Sequence, residues 1–420
     1  MLKMESCWLE RRDNPLYNTS YPLRPEDWRG YRSRGELPFP EKRCAFYIHI
    51  PFCRQICTFC EYTRMQVPSE SEQLMYLETL SRDIGKFLQQ HPGLLLYGFD
   101  IGGGTPTILS GQAFSKLLAL YRYTRDQVRT ESCFEPSIEG TFSSISEDKA
   151  SAMAQAGIHR LSLGLQSSCE SVLTRHNRRE VERQVMQEKM VMIRSCGISK
   201  VNLDLMYGLR GQSSAGIAAD LEMLAALKPD HVTLYEWRTN MLHRRPATSA
   251  RENYLAYEQY YAGLTRLGYT ADFGQNTFSL HAGDMGCSSY LRLRMTEGAA
   301  YKGFGISAQS MSSAGISYNY GKSAARFRLD PASYEQGDVY LLPPAELSAK
   351  YISIAAYCGR ISLSGLSEIL QQDAEKYFEQ QIDFVLSRGL MERERDILRI
   401  TRKGFLHYGA TFSLFSSPPV

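Results

Sequence analysis

The chain lacks any apolar run near the roughly 18 residues that a membrane-spanning helix needs, so a membrane protein is not expected. Its first residues, MLKMESCWLERRDN, lack the apolar core of a secretory signal peptide. There is little excess charge: 48 Lys and Arg against 45 Asp and Glu leave a formal +3, too balanced to argue for nucleic acid. The ten cysteines show no disulfide-like framework, and nothing else points to an oxidising compartment, so a reducing cytoplasm is the expectation. No second Cys or His pair lies near Cys60 to complete a structural zinc site. What is present is a 420-residue chain that is 43% apolar, enough for a large core. By length it makes roughly two to three domains.

The most informative stretch is Tyr47-Ile-His-Ile-Pro-Phe-Cys53-Arg-Gln-Ile-Cys57-Thr-Phe-Cys60-Glu-Tyr62. β-Branched and aromatic residues from Phe46 to Ile50 predict a strand, and Pro51, which has no N–H to donate, ends it. Three cysteines then follow at x3 and x2 spacing, in a loop made polar by Arg54, Gln55 and Thr58. Three thiolates at a strand end suit a [4Fe–4S] cluster with one iron left without a protein ligand, since such clusters usually take four cysteines. An open iron can bind a small molecule. The other seven cysteines have no motif spacing and read mostly as small buried hydrophobes.

Cys53-x3-Cys57-x2-Cys60, with Phe59 before the last cysteine, resembles the radical S-adenosylmethionine (SAM) signature. The preceding Tyr47-x-His49-Ile50-Pro51-Phe52 is similar to the branch of oxygen-independent coproporphyrinogen III oxidase and its relatives, which include class C radical SAM methyltransferases and haem chaperones. The resemblance implies a cluster on Cys53, Cys57 and Cys60, with SAM on the open iron. It also implies reductive cleavage to methionine and a 5′-deoxyadenosyl radical, with a small electron donor such as flavodoxin or ferredoxin.

From 44 to about 237 the pattern alternates strand and helix. Strands are expected over 45–50, 95–101, 137–142, 160–166, 200–206 and 231–236. Helices are expected over 71–90, introduced by a Ser69…Glu72 capping box, and over 147–156, capped by Ser146 and stopped by Gly157. Successive βα units argue for a parallel sheet. Periodicity does not separate a doubly wound sheet from an α/β partial (β/α)6 TIM-like barrel, and the resemblance implies the barrel. The chain then divides into an N-terminal arm (1–43), the barrel (44–240), a barrel-closing and substrate region (241–343) and a small C-terminal winged-helix-like domain (344–420). The arm is Pro-, Arg- and Tyr-rich and reads as an extended segment over the main domain. The alternative is that it covers the substrate, since long structureless segments in enzymes are often functional.

Function is expected at the carboxyl ends of the strands. Gly102-Gly103-Gly104-Thr105-Pro106 follows the second strand and lets the backbone approach a ligand closely. Glu139 is an acid on an otherwise apolar strand. Arg160, Ser162, Gly164 and Gln166 alternate along one strand and share a face, opposite Leu161, Leu163 and Leu165. By the resemblance, SAM is contacted by Tyr47, Phe59, Gly103, Gly104, Thr105, Glu139, Gln166, Arg178, Asp204 and, in a Gly303-Phe-Gly305-Ile-Ser307 loop, Gln309. Arg179 leaves the register of Arg178 open by one.

Tyr47 and Glu236 are the candidate catalytic groups, and Trp237 reads equally as substrate contact or core. A position that carries a fourth cysteine in the oxidases is Tyr62 here, which favours the methyltransferase members that use two SAM molecules. A planar substrate is expected, tetrapyrrole or heterocycle, stacked by Tyr235, Trp237, Tyr290, Tyr301 and Phe304. The alternatives are a coproporphyrinogen dehydrogenase-like oxidoreductase and a haem-binding chaperone. A monomer without membrane or nucleic-acid partners is expected, since the tail has no strongly basic recognition helix.

Overall fold

The computed structural model describes residues 2–12, 14, 16–238, 248–320, 333–334 and 337–416. Strand β1 (Arg43–Ile50) forms where the β-branched and aromatic residues crowd, and Pro51 stops it. Five strands follow, each after a helix: β2 (Leu95–Gly103), β3 (Arg129–Gly140), β4 (Arg160–Gln166), β5 (Lys200–Tyr207) and β6 (His231–Glu236). Each pairs in parallel with its neighbour in the chain. Parallel strands need crossovers that cover the sheet, so Phe46, Ile48, Phe99, Leu161, Leu163 and Leu203 are fully buried. In a doubly wound sheet the strand order reverses at a switch point; here β1 to β6 stand in sequential order, as in a barrel wall.

The expected helix starts are present: a Ser69–Glu72 capping box opens Glu70–Gln90, and Ser146 caps Glu147–Gln155. Strand β3 departs from expectation by starting eight residues early. Its pairing with β2 jumps from Leu96↔Thr130 to Gly98↔Glu135, and the irregularity lets Pro136 enter an otherwise regular ladder. Charged residues and Pro136 hid that strand from its pattern.

The sheet runs on at both edges to twelve strands. Strand β7 (Thr277–Ser279) pairs antiparallel with β6. At the other edge β8 (Tyr301–Phe304) lies parallel to β1. It is followed by antiparallel β9 (Gln309–Ser312), β10 (Gly315–Tyr318) and β11 (Asp338–Leu341), the last paired with Arg32–Ser33 of the arm. Helix Ser289–Thr296 packs against β2 and β3 so closely that a Cβ on Gly98 would meet the Tyr290 backbone N at 2.5 Å. The amino ends of β3 to β6 carry a charge network in which Lys200 binds Glu135 at 2.7 Å and Asp284 at 3.0 Å. These ion pairs lie away from the carboxyl ends of the strands.

The arm is not wholly extended, as its composition suggested. It begins with a helix, Leu2–Arg12, whose Met4, Cys7 and Trp8 share one face and pack into the core. It then crosses to the C-terminal region, where Tyr21 and the Trp28 indole both donate to Glu346 at 2.8 Å. The last part of the chain folds a three-stranded sheet of Arg360–Ser362, Met391–Glu394 and Ile397–Ile400 among short helices. The stretch 243–246, read as a lead into the helix over 251–268, lies outside the described residues; the helix itself is Ala250–Arg266. All ten cysteines are free; of the seven outside the motif, Cys44, Cys287 and Cys358 are buried and the rest half-buried. Among the described residues no helix is long and apolar enough to cross a membrane.

Candidate active site

The cysteine loop is closed at its base by a short parallel pairing of Phe52–Cys53 with Met65–Gln66. One flank is gripped by the connection after β4. The Thr58 N–H donates to His176 O at 3.0 Å, Asn177 Nδ2 to Ile56 O at 3.0 Å, and the Arg179 N–H to Gln55 Oε1 at 3.0 Å. The Arg64 guanidinium reaches back to Cys57 O at 3.0 Å. Below the loop, His49 Nε2 lies 2.8 Å from Thr63 O, and the Tyr47 hydroxyl lies 3.2 Å from Nδ1. Only an Nε2–H tautomer satisfies both contacts with Tyr47 donating. Burial holds His49 down near 4, which keeps it neutral in that role.

Thr105 Oγ1 donates toward Cys53 Sγ at 3.8 Å and Arg178 Nη1 toward Cys57 Sγ at 3.9 Å. Burial pushes the Cys60 thiol up to about 11; Arg64 and a Tyr62 backbone hydrogen bond pull it down, while Cys53 and Cys57 add to the rise. Among the described residues no three His, Cys, Asp or Glu side chains are set to hold a single metal ion. A cluster asks for a different arrangement, because each thiolate binds a separate iron. Three free cysteines on one loop, with a hydroxyl and a guanidinium pointed at two of the sulfurs, fit that group.

The glycine turn is tied to this loop, with the Gly104 N–H donating to Ile50 O at 2.7 Å and the Thr105 N–H to Phe52 O at 2.8 Å. Each glycine makes room for something different. A Cβ on Gly102 would meet the Glu139 carboxyl at 2.5 Å, one on Gly103 (φ +110°) the His49 ring at 2.4 Å, and one on Gly104 the Phe52 carbonyl at 2.6 Å.

The Glu139 carboxyl accepts from the Gly103 N–H at 2.9 Å. Asp204 accepts from Asn202 Nδ2 at 2.8 Å and from the Ser162 hydroxyl at 3.2 Å, and Thr233 in turn donates to Asn202 Oδ1 at 3.0 Å. Loss of water inside the barrel raises both carboxyls; the Gly103 N–H opposes this for Glu139, and the charge of Asp204 adds to it. A cationic ligand between two such groups would relieve them.

These features open on one cavity of about 420 Å³. Its wall brings together Cys53, Cys57, Phe59, Cys60, Gly103, Gly104, Thr105, Glu139, Gln166, Arg178, Asp204 and Glu236. Gln166 takes a left-handed φ of 69°, uncommon for a residue with a side chain, and Gly164 leaves space for its amide. Arg178 is the inward arginine, donating to Gly164 O and pairing with Glu180, while Arg179 is exposed at the rim. Glu236 is held on both oxygens, by Tyr408 and by Asn253.

The structure does not bring Tyr47 or Gln309 to the cavity wall. Tyr47 stacks on Tyr290 with ring centroids 5.9 Å apart, and the Gln309 amide is engaged by Tyr301, Tyr318 and Arg294. Gly303 and Gly305 do not line the cavity either. A Cβ on Gly305 would meet the Tyr76 hydroxyl at 2.5 Å, and Tyr76 itself links β1 to β8 by donating to His49 O and accepting from the Ile306 N–H. Glycine there serves strand packing.

Of the aromatic residues expected to stack substrate, Trp237, Tyr290, Tyr301 and Phe304 are buried in the core, and only Tyr235 lines the cavity. The aromatic wall comes instead from Tyr62, which is 61% exposed, and from Tyr357, Phe405 and Tyr408 of the C-terminal region. Thr19 of the arm and Arg238 complete it. These residues lie far apart in the chain and share no spacing that marks them.

Comparison with known proteins agrees with this geometry. Residues 47–224 match the family model described as the radical SAM superfamily. The haem chaperone HemW of Lactococcus lactis subsp. lactis is 25% identical over 376 residues, covering 87% of this chain and 95% of its own length. The oxygen-independent coproporphyrinogen III oxidase of Escherichia coli is 29% identical over 227 residues, and the matched region spans about half of it, 49%. The solved coproporphyrinogen III oxidase (HemN) from Escherichia coli superposes with a TM-score of 0.75 at 23% identity, covering 96% of this chain and 97% of that one. The two share a fold.

Proposed function

Because this chain carries a radical SAM domain, with homologues among haem chaperones and oxygen-independent coproporphyrinogen oxidases, we propose that it is a radical SAM enzyme acting on a planar substrate in the cavity described above. In this reading Cys53, Cys57 and Cys60 hold a [4Fe–4S] cluster. When bound, the cluster supplies the electron that breaks the SAM sulfonium bond, giving methionine and a 5′-deoxyadenosyl radical. The chain's own residues bind and orient. Glu139 and Asp204 attract the cationic cofactor, the glycine turn lets its methionyl part approach the backbone, and Arg178 stands ready for a carboxylate. The observation that carries the reading is the convergence of the cysteine loop, the glycine turn and two carboxyls on one cavity.

The reaction we infer is methyl transfer from a second SAM to an sp² carbon. The support is Tyr62, which lines the cavity where the oxidases carry a cysteine, and the aromatic side chains of Tyr357, Phe405 and Tyr408 that line the same cavity. Exposed Arg54 and Arg179 at the rim suit an acidic electron carrier such as flavodoxin or ferredoxin. Cytoplasmic operation suits the free thiols.

Anaerobic turnover with methyl-labelled SAM and extracts of candidate heterocycles and tetrapyrroles is expected to yield labelled product with both deoxyadenosine and S-adenosylhomocysteine. Deoxyadenosine with an oxidised, unlabelled product would replace methylation by dehydrogenation. A second reading, haem carriage without SAM cleavage, is favoured by the near full-length match to the Lactococcus chaperone. Stoichiometric haem binding with no deoxyadenosine would establish it.

A further inference from the structure

The cysteine loop is gripped on one flank by 176–179. The residue directly after the third cysteine, Glu61, pairs with Arg238 at 2.7 Å, both side chains being 20% exposed. Among the described residues this is the only ion pair made by any residue of 53–64. The second carboxylate oxygen of Glu61 is buried with no hydrogen-bond partner, so the grip on Arg238 sets where Glu61 stands. Arg238 lies just beyond the end of β6. Its guanidinium also donates to the Thr19 hydroxyl of the arm and lies 5.7 Å from the centre of the Tyr357 ring of the C-terminal region. One side chain thus touches three segments that line the cavity: arm, cysteine loop and C-terminal region.

We propose that Arg238 is a positioning residue for the third cluster cysteine, fixing Cys60 through Glu61 once the arm and the C-terminal region have docked. This rests on the function proposed above, since it takes the loop to hold a cluster. It follows from the short lever involved, because Cys60 and Glu61 are adjacent and a shift of the buried carboxylate moves the sulfur with it. The same contacts make Arg238 a latch for the arm in the protein without its cluster.

The experiment compares wild type with Arg238→Met, Arg238→Lys, the near-isosteric Glu61→Gln and the Arg238→Met/Glu61→Gln double variant. All are loaded anaerobically with iron and sulfide, reduced, and recorded by electron paramagnetic resonance with and without SAM. Iron content is expected to stay at the wild-type level in each. The SAM-induced spectral change should weaken, and KM for SAM rise about tenfold, the worth of one charged hydrogen bond, in Arg238→Met and Glu61→Gln. Arg238→Lys should recover most of the change, and the double variant should be no worse than either single change, as expected for partners. Unchanged spectra and KM in both single variants would overturn the proposal.

A readout without the cluster separates this from the underlying reading. In the apo-protein, trypsin should cleave the arm faster in Arg238→Met than in wild type. If wild type holds iron but shows no SAM-dependent spectral change, the proposed function fails. Cleavage of the arm at the wild-type rate would then overturn the latch as well.

Discussion

Replacing Cys57 with Ala is expected to remove the cluster and all SAM cleavage while the chain stays folded. Cys57 is one of three thiols on the loop and no other cysteine lines the cavity; Cys169 packs against the apolar cluster around Cys57 but not on the cavity wall. The Cys57 side chain packs in that small cluster with Phe59, Val172, Met206, Leu209 and Trp237, apart from the main core. Losing one sulfur there costs about 1 kcal/mol by analogy with small core truncations, which a chain of this size tolerates. Iron content and deoxyadenosine after anaerobic reconstitution should both fall to background, with an unchanged circular dichroism spectrum. A Cys57→Ala protein with full iron and activity would mean that the cluster sits elsewhere.

The next largest effect is expected at the two carboxyls. Glu139→Gln and Asp204→Asn should each weaken SAM binding by roughly ten- to a hundred-fold, the value of about 1.5–3 kcal/mol for one charge-assisted hydrogen bond. The amides keep the volume. At position 139 the neutral side chain still accepts from the Gly103 N–H, so the glycine turn is held. At position 204 the amide oxygen still accepts from Asn202 Nδ2, and the amide N–H replaces the oxygen to which Ser162 donated, so the Ser162 hydroxyl turns from donor to acceptor. What is lost is the negative charge facing a cationic ligand. Iron content should be untouched because neither residue reaches the cysteines. Equilibrium dialysis with labelled SAM on the iron-loaded variants checks this, and an unaltered affinity in both would remove these residues from the site. Insoluble protein would instead assign them to the barrel core.

The first half of the molecule was readable because its signals are local. Pro51 stops a strand, Ser69 and Glu72 cap a helix, three glycines follow β2, and Leu161, Leu163 and Leu165 alternate with polar residues on β4. Each such signal fits within a few residues and reports a backbone requirement. β3 was misjudged at its start because Glu131, Glu135 and Pro136 oppose a strand locally and the ladder overrides them through an irregularity.

The second half was less legible for a different reason. Glycines at 303 and 305 looked like a ligand loop, yet their lack of a Cβ serves the packing of β8 on β1, and spacing alone does not tell the two uses apart. Tyr290 and Tyr301 looked like stacking surfaces, but they flank the half-buried Arg294 guanidinium, which donates to the Tyr290 hydroxyl. Tyr357, Phe405 and Tyr408, which face the cavity from the C-terminal region, reach it only through the docking of that region. That docking depends on the whole chain.

The account stands on the claim that this cavity supports reductive cleavage of SAM. The direct test is to reconstitute the wild-type chain anaerobically, add dithionite and SAM, and quantify 5′-deoxyadenosine and methionine by chromatography against bound iron. The prediction is equal amounts of the two products, formed only with reductant and only in protein that carries iron. A fully iron-loaded, reduced protein that leaves SAM intact, with or without candidate substrates, would contradict it.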